Sequence, residues 1–308
     1  MSPGFEHEAM FYRDDDDFLA GLVPFVIEGL DRDESVLVAL PRARLDLLRG
    51  ALGDEADRVH FLEMEEIGLN PARIIAAWAD ALNEATADGR TLRGVGEPAW
   101  YGRRDLELIE CQLHELLLNR AFDDGPAWRL LCPYDESRLQ RSVCDLALEA
   151  HPIRSTSAAR GPSDRYVPDG DLVAFAAPLA RPREGVLRGV FRGAHDIPAT
   201  RHTVAQYART CGLPEEQVEA LQLAASELAT NSVRYGGGSG TVAMWVQEDA
   251  AVVEFTDAGH VTDPLTGRRT PSHEQEGGRG LFLVHQLCDL VQLRSSPEGT
   301  TVRVVTWL

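Results

Sequence analysis

The sequence contains no lysine; all 30 of its cationic side chains are arginine. That excludes a Walker-A phosphate loop, a Schiff-base lysine and a pyridoxal-phosphate anchor. Positive charge is scarce altogether: 49 acidic residues leave a net charge of −19 across 308 residues. Such a field repels a phosphate backbone, so direct binding to DNA or RNA is not expected. The pairs Arg103-Arg104 and Arg268-Arg269 either form a local basic patch or, the favoured reading, are solvated surface arginines. No apolar run approaches the roughly 18 to 20 residues of a membrane span, and MSPGFEHEAMFYRDDDD lacks a signal-peptide core. A cytoplasmic protein without membrane contact is expected. Cysteine is sparse and unpatterned. Cys111, Cys132, Cys144, Cys211 and Cys288 form no C-x-x-C and no finger spacing, so reduced thiols are expected. Cys111 and His114, three apart on one helix face, either serve a metal or redox site or simply pack.

What is present divides the chain into two structured halves. In residues 5–152, Phe18–Leu30, 41–52, 71–87, 106–119 and 137–150 read as helices, separated by strand-like SVLVAL, 59–64, TLRGVG and 128–133. That alternation predicts parallel βαβ units and an α/β sandwich. Residues 153–185 are rich in Pro, Gly, Ser and Arg and read as a linker. In residues 186–308 the helices (198–212, 215–235, 280–290) and the strands (VLRGVFRG, 241–247, 251–257, VQLRSS, TTVRVVTWL) are segregated, which predicts an α+β domain.

Three short motifs stand in this second half. In EALQLAASELATNSVRYGG, Glu227 and Asn231 are four apart and share one helix face. An Asn carbonyl is a suitable hard-oxygen ligand for Mg2+, and a carboxylate one turn away can serve a nucleophile attacking a phosphate. The same pair also fits a solvated helix face. In VVEFTDAGHV, Asp257 ends a strand and Gly259 follows two residues later, which suits an adenine amino group or an ordinary strand turn. In EGGRGLFLVHQL, Gly278-Arg279-Gly280-Leu281 opens a helix whose N-terminus favours phosphate. Gly299-Thr300-Thr301 begins the last strand.

The order of these pieces resembles the Bergerat ATP-binding fold of the GHKL superfamily, and SELATNSVRYG is similar to the N-box of its anti-sigma-factor serine kinase branch. The resemblance covers 195–308. It implies ATP and Mg2+ as cofactors, Glu227 as catalytic base and Asn231 as metal ligand. It implies Asp257 and Gly259 at the adenine, with Thr300 or Thr301 supporting them, and Gly278, Arg279, Gly280 and Leu281 near the phosphates. The family's D-x-G-x-G becomes Asp257-Ala258-Gly259-His260-Val261. Loss of the second glycine stiffens the start of a lid over residues 260–277, which is expected to be mobile without nucleotide.

Residues 5–152 resemble the MEDS sensory domain through His7, Phe11-Tyr12, FLAGLVPFVIEGLDRDESVLVALP and Leu131-Cys132-Pro133-Tyr134-Asp135. Such domains look like relatives of RecA-type ATPases, yet SVLVALPRARLDLL stands where a phosphate loop would sit and has neither its glycines nor a lysine. The resemblance implies a small, apolar metabolite as ligand. His7, Tyr12, Trp100, Tyr101, Cys132 and Tyr134 are its expected lining, or else core. The whole chain then reads as an anti-sigma-type serine/threonine kinase under a sensory domain. Its implied partners are a STAS-type anti-sigma-factor antagonist and a sigma factor, and its front domain is expected to dimerise or to pack on the ATP domain. The competing readings are an ATP-responsive binding switch without phosphotransfer, and an atypical histidine kinase; the chain lacks the phosphoacceptor helix of the latter. ATP-driven clamps are disfavoured by the short lid.

Overall fold

The computed structural model describes residues 4–181, 185–271 and 278–308. Residues 182–184 of the expected linker and 272–277 of the expected lid, including Gly277, lie outside the described residues. The chain divides into two compact units, Met1–Gly170 and Asp171–Leu308.

The front unit is a mixed α/β domain. Its elements are β1 (Phe5–Tyr12), α1 (Asp15–Asp31), β2 (Ser35–Leu40), α2 (Arg42–Leu52), β3 (His60–Glu63), α3 (Met64–Ile67), α4 (Ile74–Ala87), β4 (Leu92–Gly96), α5 (Asp105–Phe122), β5 (Trp128–Asp135), α6 (Arg141–Ala150), β6 (Ile153–Ser155) and β7 (Arg160–Pro162). The sheet order is β3-β2-β4-β5-β1-β6-β7. All neighbours run parallel except the β6–β7 pair. Near-continuous burial of β2 and β4 marks a sheet covered on both faces. On one face Val36, Val38 and Leu40 pack with Phe18, Leu22 and Leu30 of α1 and Leu45 and Leu48 of α2. On the other, Gly94 and Gly96 leave room for Trp78 of α4; a Cβ there would meet its ring at 3.0 and 2.9 Å.

Two features depart from the sequence reading. The strand β1 was not expected, because Glu6, His7 and Glu8 interrupt its apolar character, yet it lies between β5 and β6 with Ala9–Tyr12 buried. Residues 153–162, expected within the linker, pair as β6 and β7 at the sheet edge. Helix α1 also starts earlier than Phe18. Asp14 caps it by accepting from Asp17 N–H at 2.9 Å, and Asp15, Asp16 and Asp17 sit at its positive end.

The back unit contains α7 (Gly170–Ala176), β8 (Leu187–Arg192), α8 (Ile197–Thr210), α9 (Glu215–Tyr235), β9 (Ser239–Gln247), β10 (Ala250–Asp257), α10 (Arg279–Leu287), β11 (Leu290–Ser296) and β12 (Gly299–Trp307). Its antiparallel sheet has the order β11-β12-β10-β9-β8. Helix α9 buries Val218, Leu221, Ala225, Leu228, Ala229 and Ser232, a stripe at helical spacing. Helix α10 ends at Leu287, three residues short of the expected end, because Leu290 already pairs with Val305 in β11.

The two arginine pairs are not wholly surface features, contrary to the sequence reading. Arg103 and Arg268 are buried, and Arg103 donates to the carbonyl of Pro98 at 2.6 Å and of Leu69 at 3.1 Å. A guanidinium offers five donors, so several carbonyl oxygens can satisfy it away from water.

Trp128 is buried against Phe5, Phe122 and Trp78, with ring centroids 4.7, 4.9 and 5.8 Å away. Trp128→Ala is expected to destabilise the chain by about 3–5 kcal/mol in urea unfolding, and a loss below about 1 kcal/mol would remove Trp128 from the packed core.

Candidate functional site

The back unit carries a cavity of about 440 Å3, within the range of about 300–1,000 Å3 usual for small-molecule sites. Its wall comes from one side of α9, the end of β10 and the turn after it, the start of α10, and β11 and β12. Leu228, Phe255, Leu281, Leu293 and Val302 make it apolar, while Asn231, Asp257, Gly259, Gly278, Gly280 and Thr300 supply polar or backbone groups. Seven of the residues singled out by sequence therefore face one space: Asn231, Asp257, Gly259, Gly278, Gly280, Leu281 and Thr300. Glu227, Arg279 and Thr301 are not part of the lining.

Asp257 is held from two directions. Ser232 Oγ donates to its Oδ2 at 2.6 Å, and Gly259 N–H donates to its Oδ1 at 2.8 Å. The last turn of α9 approaches so closely that a Cβ at Gly236 would collide with the Asp257 carboxylate. Behind Asp257 runs a chain of hydroxyls. Val261 N–H donates to Ser295 Oγ at 2.8 Å, Ser295 and Thr300 hydroxyls meet at 2.7 Å, and Thr300 donates to Gly259 carbonyl at 2.9 Å. The register explains this: Thr300 lies opposite Asp257 on β10 and opposite Ser295 on β11. Thr301 is opposite Thr256 and Arg294, on the alternate face. Ser232 and Ser295 were not foreseen. Ser232 follows Asn231 directly, but a serine within a helix carries no spacing signal.

Gly278 caps α10 in the left-handed region at φ 80°, a conformation that favours glycine. A Cβ at Gly280 would run into the Glu227 carboxylate, so Glu227 stands against the first turn of α10, at the edge of the cavity. The free N–H groups of that turn and its positive dipole end favour an anion. Behind it, His285 of α10 is fully buried and held well below its usual range by burial and the nearby Arg268 charge, so its ring is neutral at pH 7.

In the front unit a cavity of about 180 Å3 is lined mainly by apolar side chains of α5 and α6, with Glu115 and Tyr134 among its polar groups. Of the six expected lining residues only Tyr134 faces it. His7 and Cys132 gather instead with Glu115 and His151, and the Tyr134 ring meets His151 edge-on. Burial and the adjacent His151 lower His7 to about 4. Tyr12 donates to buried Glu97 at 2.9 Å. Tyr101 is exposed beneath Arg138, and Trp100 lies under Arg103. The Cys111 thiol donates to Pro98 carbonyl at 3.2 Å and is pushed up to about 12 by burial, which fits the packing alternative.

Comparison with known proteins matches both halves. Residues 6–152 match the family described as MEthanogen/methylotroph, DcmR Sensory domain (MEDS). Residues 193–306 match the histidine kinase-like ATPase domain. Serine-protein kinase RsbW of Bacillus velezensis is 33% identical over 126 residues, which are 36% of this chain and 78% of that protein. RsbW of Halalkalibacterium halodurans is 28% identical over 124 residues, 36% of this chain and 76% of that protein. A crystal structure of the RsbU and RsbW domains of a Mycobacterium tuberculosis protein covers 42% of this chain and 34% of its own, with a TM-score of 0.32 at 17% identity.

Ser232→Ala leaves Asp257 Oδ2 without its hydroxyl donor. Discounted for partial exposure, the expected loss is about 1–2 kcal/mol of stability, read from denaturant midpoints. An unchanged midpoint would mean that Ser232 does not hold the carboxylate.

Proposed function

We propose a function from one premise: the chain belongs to the GHKL, histidine kinase-like ATPase family, in its serine-protein kinase branch, with a MEDS domain in front. The reading is a cytoplasmic signalling regulator that transfers phosphate from ATP to a serine or threonine of a partner protein. The observation that carries it is the convergence of Asn231, Asp257, Gly278, Gly280 and Thr300 on one cavity, with Glu227 against the turn between them.

The residues present fit a nucleotide. The apolar walls suit a base, and Asp257, fixed by Ser232 and Gly259, offers a carboxylate edge to an exocyclic amino group. Thr300 holds the Gly259 backbone that flanks that edge. Gly278 and Gly280 let backbone N–H groups at the start of α10 reach phosphate oxygens, beside Leu281 and the exposed Arg279. Asn231 offers its carbonyl to Mg2+, which when bound supplies charge neutralisation of the phosphates. Glu227, one turn before Asn231, accepts the proton of the attacking hydroxyl. A neutral binding switch has no need of a base at that place, which favours the kinase over the switch.

The proposed partner is a STAS-type anti-sigma-factor antagonist, with a sigma factor as a competing partner. The front domain, 5–152, is read as a RecA-related fold without a phosphate loop. Through the chain that follows β7 it governs the ATP domain, 186–308, in response to a small molecule in its apolar cavity, and a homodimer is the expected assembly.

Asp257→Asn can keep both internal contacts, its carbonyl accepting from Gly259 and its amide donating to Ser232, so the variant folds. Its amide then faces the base amino group, and ATP affinity by calorimetry is expected to fall by about 1–3 kcal/mol. Unchanged affinity in the folded variant would displace the adenine site. Glu227→Gln is expected to bind ATP as before but to transfer phosphate about 10²- to 10⁴-fold more slowly to an antagonist protein. If the natural sequence transfers no phosphate to any such partner yet binds it only with ATP, the switch reading replaces the kinase.

A further inference from the structure

His7 of β1, Glu115 of α5, Cys132 of β5 and His151, just after α6, are each buried and bring four donor atoms within 4.8 Å of one another. Four of their separations lie close to those of a coordination shell. His7 Nε2 lies 3.0 Å from Glu115 Oε2, and His151 Nε2 3.3 Å from the same oxygen. Cys132 Sγ lies 3.5 Å from His7 Nε2 and 3.6 Å from Glu115 Oε2. Tetrahedral bonds of about 2.0–2.3 Å place neighbouring ligand atoms roughly 3.3–3.8 Å apart. Cys132 pairs with Ala9, two residues beyond His7 on the adjacent parallel strand, so both side chains leave the same face of the sheet.

The hydrogen-bond pattern fixes where the ring protons are. Asn119 Nδ2 donates to Ala150 carbonyl at 2.8 Å, which turns Asn119 Oδ1 toward His7 Nδ1 at 3.1 Å. His7 Nδ1 must therefore carry the proton. His151 Nδ1 faces the Ala147 carbonyl at 2.7 Å and must carry one too. In the neutral rings both Nε2 lone pairs then point inward, against a carboxylate oxygen that also only accepts. His151 Nε2 makes no hydrogen bond. A metal site needs this arrangement, with each imidazole oriented by a carbonyl-type acceptor behind it.

We propose that His7, Glu115, Cys132 and His151 bind a divalent transition-metal ion of the Zn2+ class. One thiolate, two imidazoles and one carboxylate form a borderline-soft donor set that suits zinc and not Mg2+ or Ca2+. Charge closes as well: the thiolate and carboxylate together balance a dication, so the buried cluster is neutral. Binding displaces the Cys132 thiol proton to solvent. The metal ties the first strand of the front unit to α5, β5 and the end of α6. Glu115 also lines the front cavity, so the ion sits behind that cavity's polar wall.

The test uses the full chain without a polyhistidine tag and without nucleotide. After growth with zinc and dialysis against EDTA, about one zinc ion per chain is expected to remain. X-ray absorption at the zinc edge is expected to show one sulfur and three nitrogen or oxygen neighbours. In the Co2+-substituted protein the visible bands of tetrahedral cobalt and a thiolate charge-transfer band are expected. Cys132→Ser should remove the charge-transfer band, whereas Cys144→Ser should keep it. Where Cys132→Ser fails to fold, the zinc-edge spectrum of the natural sequence decides. No stoichiometric zinc and no cobalt bands would overturn the proposal and leave a metal-free, hydrogen-bonded contact between His7 and Glu115. A shell without sulfur, or a charge-transfer band that survives Cys132→Ser, would overturn it equally.

Discussion

The back unit's cavity depends on the distance between the end of α9 and the end of β10. Ser232 and Gly236 on that helix and Asp257 on that strand are in contact, and the approach is close enough that position 236 tolerates no Cβ. Widening it by the size of a methyl group would release the carboxylate from Ser232 and shift the turn that carries Gly259. Everything else around the cavity is arranged from this contact. Thr300 and Ser295 brace the same turn from β12 and β11, and α10 packs against α9 with Gly280 touching Glu227. The polar groups thus belong to a framework fixed by packing before anything enters. That is the condition under which a few hydrogen bonds can discriminate between ligands.

The parts of this framework that were legible in the sequence are those expressed as spacing along one element. Glu227 and Asn231 are one helical turn apart, and a glycine before an apolar helix marks the start of α10. The rest depends on pairing across elements. Thr300 rather than Thr301 faces the cavity because of a register between β10 and β12 that no single strand encodes, and slipping it by one residue would exchange them. Ser232 and Ser295 act through hydroxyls whose role is apparent only when the opposite strand or helix is in place. The His7, Glu115, Cys132 and His151 cluster is dispersed over 145 positions of chain, so no local motif announces it. The strand β1 was lost because its charged residues are satisfied by distant partners: Glu6 and Glu8 meet Arg129 and Arg160, and His7 meets Glu115.

The exclusive use of arginine is visible in how the interior is tied together. Arg93, on a fully covered strand, engages Glu34, Glu28 and the carbonyl of Phe25 at once. Arg303 holds Glu254 with two nitrogens and reaches the carbonyl of Ala180. A lysine could supply the charge, but not a flat fork of donors spread over several acceptors. Removing one carboxylate from such a set leaves a buried cation partly unsatisfied, which is why these ties are costly to break even where their net contribution is small.

The position of β1 also orders events during synthesis. It precedes both of its neighbours in the chain, which are residues 128–135 on one side and 153–155 on the other. The β2–β3–β4 portion can form while β1 still has no partner. The front unit therefore holds β1 unpaired until residues 128–135 have been made, a high-contact-order arrangement that slows folding. An unpaired strand with buried-type side chains is the segment that a nascent chain must shield from neighbours in the meantime.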